Sequence, residues 1–508
     1  MKRILIICCI AGLFSACSDF LKEYSQDLAK VESFSDLGEV LLGKGYLPWG
    51  RSEAGDYGMS TVVDAYFQAT HHMADEMAFN SRTGVGDLYQ IQPGMFGWYA
   101  WQQSVGLPYE GNVRVAENRD WKQAYSCINI CNMVLVSADE LSANNQVEEL
   151  QRRRIKGEAH FLRALYYFTL VNLYGQPYCP KNVATPAVPL KLTEFVEDKD
   201  YVVNTVEEVY DQIICDLDEA EKNFLTLPEE KQYSQTYRIN LPAVQLLRAR
   251  VALHMNNRED AAKYAKKVIE GWNFSLYDLN SFKGTYNYPY PNFVSFDNPE
   301  MVWVMGNSDD VVDLLRKTFG YLDISTVTPT GKRNALNVSQ DLLKCYKDND
   351  LRVGYYFAND YDKKAIQGVY VPWGKMKVSY NSAPVKASEF GYALRLSEAY
   401  LILSEAVYDT DEELALKLIN ALREKRYITG TYEEVNYSGD ELLNFIREER
   451  RRELCFEGQR WFDLRRYGMP SFKRQWTELG RYVGSYIMEK EDPAYTLPIP
   501  AKILDRNP

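Results

Sequence analysis

The stretch Arg447–Gly468, REERRRELCFEGQRWFDLRRYG, constrains this chain more than any other. It sets seven arginines and four glutamates among seven apolar residues. Ile446, Leu454, Trp461 and Leu464 recur at multiples of helical spacing, so one stripe must be buried. Glu449, Arg450, Arg452 and Glu453 lie among them, which brings charge to the edge of that seam. Charges at such depth must be paired, because an isolated buried ion is strongly unfavourable. Three arrangements satisfy this: a basic nucleic-acid helix, a catalytic carboxylate cluster, or an ionic network locking a scaffold.

Charge removes the first. The chain carries a formal −12, and loss of Lys2 and Arg3 with a leader makes it −14. An acidic surface argues against a nucleic-acid partner. Residues 1–16 read as that leader: Lys2-Arg3, then an apolar run from Ile4 to Phe14, about half of the ~20 residues that a spanning helix needs. Phe14-Ser15-Ala16-Cys17 resembles a bacterial lipobox, which makes Cys17 the expected acylation site; an ordinary signal peptide is the alternative. Acyl chains on one residue would hold the protein on a membrane durably. No other segment is apolar enough to span. Of nine cysteines, Cys8 and Cys9 leave with the leader. Cys127, Cys131, Cys179, Cys215, Cys345 and Cys455 lie mostly in helical patterns and read as buried thiols. Cys127 and Cys131 share a helix face, but no nearby ligand completes a metal set.

The rest of the chain reads as helix pairs. Trp121–Leu135, Ile155–Tyr174, Thr205–Phe224, Pro242–Met255, Arg258–Glu270, Tyr392–Val407 and Glu412–Arg426 carry helical periodicity, and Gly175 with Pro177 stops the second. Ala261, Ala262, Ala265, Val268 and Ile269 repeat the spacing of Leu414, Ala415, Leu418, Ala421 and Leu422, with small residues that let helices approach. Such pairs read as tetratricopeptide-like units. Residues 80–120, 272–341 and 351–390 interrupt them with little helical pattern and strand-like pieces such as Met301–Met305. These insertions hold Trp98, Tyr99, Trp101, Tyr286, Tyr288, Tyr290 and Trp373.

Several motifs in order carry a family resemblance. They are Cys17-Ser18-Asp19-Phe20-Leu21; Ala74-Asp75-Glu76; the W-x3-Y-x2-I-x3-N set of Trp121, Tyr125, Ile128 and Asn132; Gly157–Tyr178; Leu394–Ala406; Arg447–Gly468; and Leu497-Pro498-Ile499-Pro500 with Asn507-Pro508. Ala74, Ser397 and Ser404 depart from the commoner residues at their positions. Together they are similar to the SusD/RagB family of Bacteroidetes outer-membrane nutrient-binding lipoproteins. The resemblance implies a mainly α fold, with about four tetratricopeptide-like helix pairs, long irregular insertions and a few short strands. It implies an N-terminal part over 17–270 and a C-terminal part over 271–508, forming one compact unit. It also implies an outer-membrane, lipid-anchored location facing the cell exterior, and a partner, a TonB-dependent transporter of the SusC type. The ligand would be an oligosaccharide, with oligopeptide as the alternative; no cofactor is implied.

Sugar rings stack their C–H faces on aromatic side chains, and Tyr adds a hydroxyl at low entropic cost. With 38 Tyr available, Trp98, Tyr99 and Trp101 and the alternating Tyr286, Tyr288 and Tyr290, held extended by Pro289 and Pro291, are the candidate ligand residues. Packing of these rings onto the helices is the competing explanation. A secreted glycoside hydrolase would need two carboxylates about 5–10 Å apart, but no nucleophile elbow, H-E-x-x-H or phosphate loop is present. His71 and His72 with Asp75 and Glu76 could share a helix face as metal ligands, though polar residues at a helix end explain them better. The charged stretch then reads as structure: Glu449, Arg450, Glu453, Glu457, Arg460 and Asp463 are expected to pair with neighbouring arginines and carboxylates, with Gly458 ending or kinking the first helix so that Trp461 turns inward.

Overall fold

A computed structural model describes residues 31–46, 68–79, 96–102, 105, 119–195, 201–233, 237–281, 293–294, 298–305, 336–359, 370–372, 375, 392–478, 481–500 and 503. Cys17, Tyr286, Tyr288, Tyr290 and Trp373 lie outside them. Among the described residues the chain is mainly helical. After α1 (Phe34–Val40) and α2 (Gln68–Met73) come α3 (Arg119–Glu140), α4 (Gln146–Tyr174), α5 (Val206–Leu225), α6 (Leu241–His254) and α7 (Arg258–Gly271). The C-terminal part adds α8 (Leu396–Val407), α9 (Glu412–Glu424), α10 (Gly439–Glu453) and α11 (Arg460–Arg466).

Successive helices pack on one another through short connections: α3 on α4, α6 on α7, α8 on α9. Local chemistry explains their ends. Asn145, Thr205, Asn240, Asn257 and Asp411 cap α4, α5, α6, α7 and α9 through side chains that accept a backbone N–H. Helix α4 starts nine residues before the apolar pattern, because its first turns are solvated and held by pairs such as Arg152–Glu149 at 2.7 Å. Gly157 lets α4 meet α5 closely; a Cβ there would lie 2.9 Å from the Phe224 ring.

The first core joins both halves of the chain. The Phe161 and Trp303 rings meet edge-on at 5.2 Å, Trp461 stacks on Tyr495 at 4.9 Å, and the Leu497 N–H donates to Leu173 O at 2.8 Å. A small cluster of Leu401, Ala415, Ile419, Leu422, Leu442 and Ile446 seals α8, α9 and α10 together.

Strands occur in antiparallel pairs: β1 (Met77–Phe79) with β5 (Leu336–Val338), β2 (Pro186–Pro189) with β3 (Val203–Thr205), β4 (Met301–Met305) with β8 (Tyr392–Arg395), β6 (Ala358–Asn359) with β7 (Tyr370–Val371), and β9 (Phe472–Glu478) with β10 (Arg481–Met488). The expected helix over Tyr392–Val407 is thus corrected at its start. Tyr392–Arg395 pair with Met301–Met305, because that ladder gives buried backbone groups partners on a neighbouring element.

A second core forms beside the helices from Met77, Phe96, Tyr99, Leu279, Phe293, Leu336, Tyr346, Tyr356, Phe357, Phe456 and Trp476 among others; eight of its fifteen buried members are aromatic. The thiols of Cys127, Cys131 and Cys455 are buried, and Cys179 and Cys345 are half-buried. Cys215 is exposed on α5, which corrects the expectation of a buried thiol there: it sits beside the buried Asp216 but faces away from the core.

Candidate functional site

The charged stretch is the joint between the two cores. Helix α10 ends at Glu453 rather than at Gly458, and a tight turn over 454–459 leads into α11. Phe456 and Gly458 both take positive φ in that turn, at 58° and 75°, which glycine adopts without strain. Trp461 is buried just beyond it.

Glu453 is the hub. Its carboxylate meets Arg352 at 3.0 Å, Arg395 at 2.7 Å and Arg426 at 2.8 Å, and accepts the Tyr356 hydroxyl at 3.2 Å. Burial alone would raise its pKa, but the arginines outweigh it and hold the carboxyl well below the usual range. Around it, Glu449 pairs with Arg352 at 2.6 Å and with Arg423, while Glu300 bridges Arg426 at 2.6 Å and Arg395 at 3.1 Å. Glu457 binds Arg395 at 2.9 Å and the buried ammonium of Lys375, which also donates to Glu453 O at 2.6 Å. A second set runs from Arg250 through Glu398 and Arg450 to Asp463, Arg466 and Glu405. A third joins Arg460 to Asp75 at 2.8 Å and Arg451 to Asp75 at 3.1 Å. Glu449, Arg450, Glu453 and Asp463 are buried; the side chains of Glu457 and Arg460 keep 9% and 13% exposure.

Sequence reasoning missed most partners. It looked for pairs inside the stretch, where only Glu448, Glu449, Arg450, Arg452, Asp463 and Arg466 supply them. Arg352, Arg395, Arg423, Arg426, Glu300 and Lys375 come from other elements. The excess of arginine over carboxylate signalled that outside acceptors were needed, which Glu398, Glu405 and Asp75 supply, but nothing in the stretch signalled the outside cations. The same logic holds at Arg465, whose buried guanidinium caps the end of α4 by donating to the Asn172 and Gly175 carbonyls.

Asp75 and Glu76 tie the base of the insertions to this joint. Glu76 accepts the Phe456 N–H at 3.1 Å, while its own carbonyl accepts the Ser339 N–H at 2.7 Å. Burial, with Asp75 beside it, pushes the Glu76 carboxyl up to about 8. His71 and His72 are buried at the end of α2, and burial lowers them to about 4 and about 3, His71 and Arg474 adding to the effect at His72. Among the described residues no group of three His, Cys, Asp or Glu could hold a metal ion.

The aromatic candidates separate. Tyr99 and Trp101 are buried, which corrects the expectation of exposed stacking faces for these two. Trp101 Nε1 donates to Met73 O at 3.1 Å and its ring meets Phe472 edge-on at 4.7 Å. Tyr99 packs on Trp476 at 5.8 Å, and the Arg474 guanidinium lies 4.4 Å from Tyr99 and 4.6 Å from Trp101. Their faces are already occupied by protein. Trp98 stays half-buried at the rim of the first core. The second core flanks three insertions on both sides: Met77 and Phe96 bracket 80–95, Leu279 and Phe293 bracket 282–292, and Phe357 and Tyr370 bracket 360–369. The segment carrying Tyr286, Tyr288 and Tyr290 therefore starts and ends on this aromatic platform.

The helices make a rigid frame, the platform collects the insertions, and the ionic joint holds the two together. That architecture defines a helix-pair scaffold with an aromatic platform beside it. The SusD family matches residues 327–508, and a family described as starch-binding associating with the outer membrane matches residues 56–253. SusD-like protein P2 of Formosa agariphila is 27% identical over 386 residues, 68% of this chain and 70% of that protein. A SusD-like protein of Bacteroides ovatus is 23% identical over 91% of this chain and 82% of its own length. In structure, the chain is similar to a SusD superfamily protein from Bacteroides thetaiotaomicron (TM-score 0.68, 23% identity, 94% of this chain and 98% of that one). It is also similar to a SusD-like carbohydrate binding protein from Bacteroides vulgatus (TM-score 0.64, 21% identity, 94% and 97%). The chain belongs to the SusD family.

Proposed function

We propose that this protein is a cell-surface lipoprotein that captures an oligosaccharide and delivers it to a TonB-dependent outer-membrane transporter of the SusC type. The carrying observation is the shared base of the insertions: 80–95, 282–292 and 360–369 each spring from both sides of one aromatic core. Tyr286, Tyr288 and Tyr290, and with them Trp98, supply ring faces for sugar C–H surfaces, and the tyrosines supply hydroxyls for sugar oxygens. The role is binding rather than turnover: Glu449, Glu453, Glu457 and Asp463 are each paired with arginine at the joint, and Glu76 is buried with its carboxyl on the Phe456 N–H. Lipid on Cys17 keeps the protein at the outer membrane, and the helix pairs face the transporter.

Calorimetry with panels of neutral glycans and of peptides tests this reading. A glycan that binds, with affinity weakened by Trp98→Ala and Tyr288→Ala at unchanged Tm, is the expected result. Binding of peptides alone would move the ligand class, and release of reducing sugar by the pure protein would overturn the non-catalytic role. Cys17→Ala should move the protein from membrane to soluble fractions; full retention without the transporter would refute the anchor.

A further inference from the structure

A groove of about 1070 Å³ runs along the outer face of α9, opposite its core side. One wall is a single helical stripe, Glu413, Leu416, Lys417, Asn420, Ala421 and Glu424, which spans about 16 Å at 1.5 Å per residue. The other wall is the loop from Ile428 to Asn436, which has no regular structure. Two asparagines, Asn420 on α9 and Asn280 from earlier in the chain, pin that loop in place. Asn420 accepts the Val435 N–H at 2.9 Å and the Tyr432 hydroxyl, and donates to Val435 O at 3.0 Å. Asn280 accepts the Thr429 N–H at 3.0 Å and donates to Tyr427 O at 2.9 Å. The loop is thus pinned to α9 at one end of the groove and to Asn280 at the other, so the trough between the two walls is preformed.

We propose that this trough is a second carbohydrate-contact site, taking a short neutral oligosaccharide, and this rests on the reading of the protein as a glycan-capturing one. Its floor offers the apolar Leu416 and Ala421, and its wall carries the half-buried Tyr432, surfaces that suit sugar C–H faces. Its rim offers exposed Glu413, Glu424 and Lys417, which make no ion pair among the described residues and can exchange hydrogen bonds with hydroxyls. A peptide fits less well. The helix backbone is satisfied internally, so no strand edge exists for main-chain pairing. The two amides that could grip a peptide backbone are already committed to the loop. The four carboxylates against two lysines in the lining, Asp278, Glu413, Glu424 and Glu434 against Lys417 and Lys425, disfavour an anionic glycan.

Hydrogen exchange of the full chain, with maltohexaose and other neutral hexasaccharides as probes and hexalysine as the comparison peptide, tests this. A hexasaccharide should slow exchange across residues 427–436. Glu413→Gln with Glu424→Gln should abolish that protection and weaken this site about tenfold, the loss of hydrogen bonds to charged groups, while leaving the Trp98-dependent binding intact. Protection confined to other segments would overturn the trough and leave glycan capture standing. No response to any sugar would overturn both. Protection of 427–436 by hexalysine alone would overturn the carbohydrate assignment.

Discussion

The two cores of this protein solve the same burial problem with different materials. The helix core is assembled largely from aliphatic and alanine-rich faces of helices adjacent in sequence, so much of it is set by local periodicity, with Trp303, Trp461 and Tyr495 closing it from farther along the chain. The platform is assembled mostly from rings contributed by segments far apart in sequence, such as Phe96 with Trp476 at 5.0 Å and Phe293 with Tyr356 at 5.1 Å. Rings supply large buried area per residue, which allows a small core to anchor several long insertions. Between the two lies a buried ionic joint whose arginines touch the platform: Arg395 and Arg426 each lie within 6 Å of the Phe293 ring while pairing with Glu453.

The sharpest way to break that division is at the hub. Glu453→Ala removes the carboxylate that Arg352, Arg395 and Arg426 all contact and should cost about 5 kcal/mol, since removing one side of a buried pair leaves an uncompensated charge. Chemical denaturation reads it; a loss within ~1 kcal/mol would mean that the joint is not what couples the cores. Next comes Trp101→Ala, expected to cost about 3–5 kcal/mol as a buried ring deletion, with Trp98→Ala as its contrast. If both variants melt together, the separation of rim from core at this turn is wrong.

Smaller effects follow from titration. Burial alone would raise the pKa of Glu398, Glu405 and Glu457, yet Arg250 and Arg450, Arg466 and Arg447, and Arg395 and Lys375 respectively outweigh it and hold them low. Their contribution is present above the ordinary glutamate range and is lost as pH falls below about 4.5. The buried neutral His71 and His72 act in the same direction below about 6.5. Melting temperature should therefore fall steeply on the acid side. Glu76 has the opposite sign. Its folded carboxyl titrates at about 8, so it costs stability progressively as pH rises from about 4.5 to 8. Glu76→Gln keeps an acceptor for the Phe456 N–H and should raise Tm at pH 8.5 while changing little at pH 5. An equal shift at both pH values would show that the proton on Glu76 is not involved. The smallest effect is that of Trp98→Ala on stability, within about 1 kcal/mol for a half-buried surface residue.

Part of this was legible in the chain. The helices over 206–225, 241–254 and 258–271 fall within a residue or so of their apolar patterns, because caps and i,i+4 spacing are local properties. The conflict between a buried stripe and twelve charges in Arg447–Gly468 showed that the segment needed partners. The capped solvated start of α4 was harder to see, since its first turns are held by ion pairs rather than by an apolar stripe. Tyr392–Arg395 looked helical for the opposite reason: an apolar run does not record whether a strand waits beside it.

The sequence by itself determined the helix-pair frame and the necessity of charge pairing, since both follow from the spacing of neighbours along one helix. Tertiary structure alone decided who the partners are. Arg352 reaches Glu449 across 97 residues and Arg426 reaches Glu300 across 126. It also decided that Tyr99 and Trp101 lie inside while Trp98 stays at the rim, because Arg474 of β9 and the rings around it come from nearly 400 residues away. Periodicity reports which face of an element is apolar; it carries no information about which distant element covers that face.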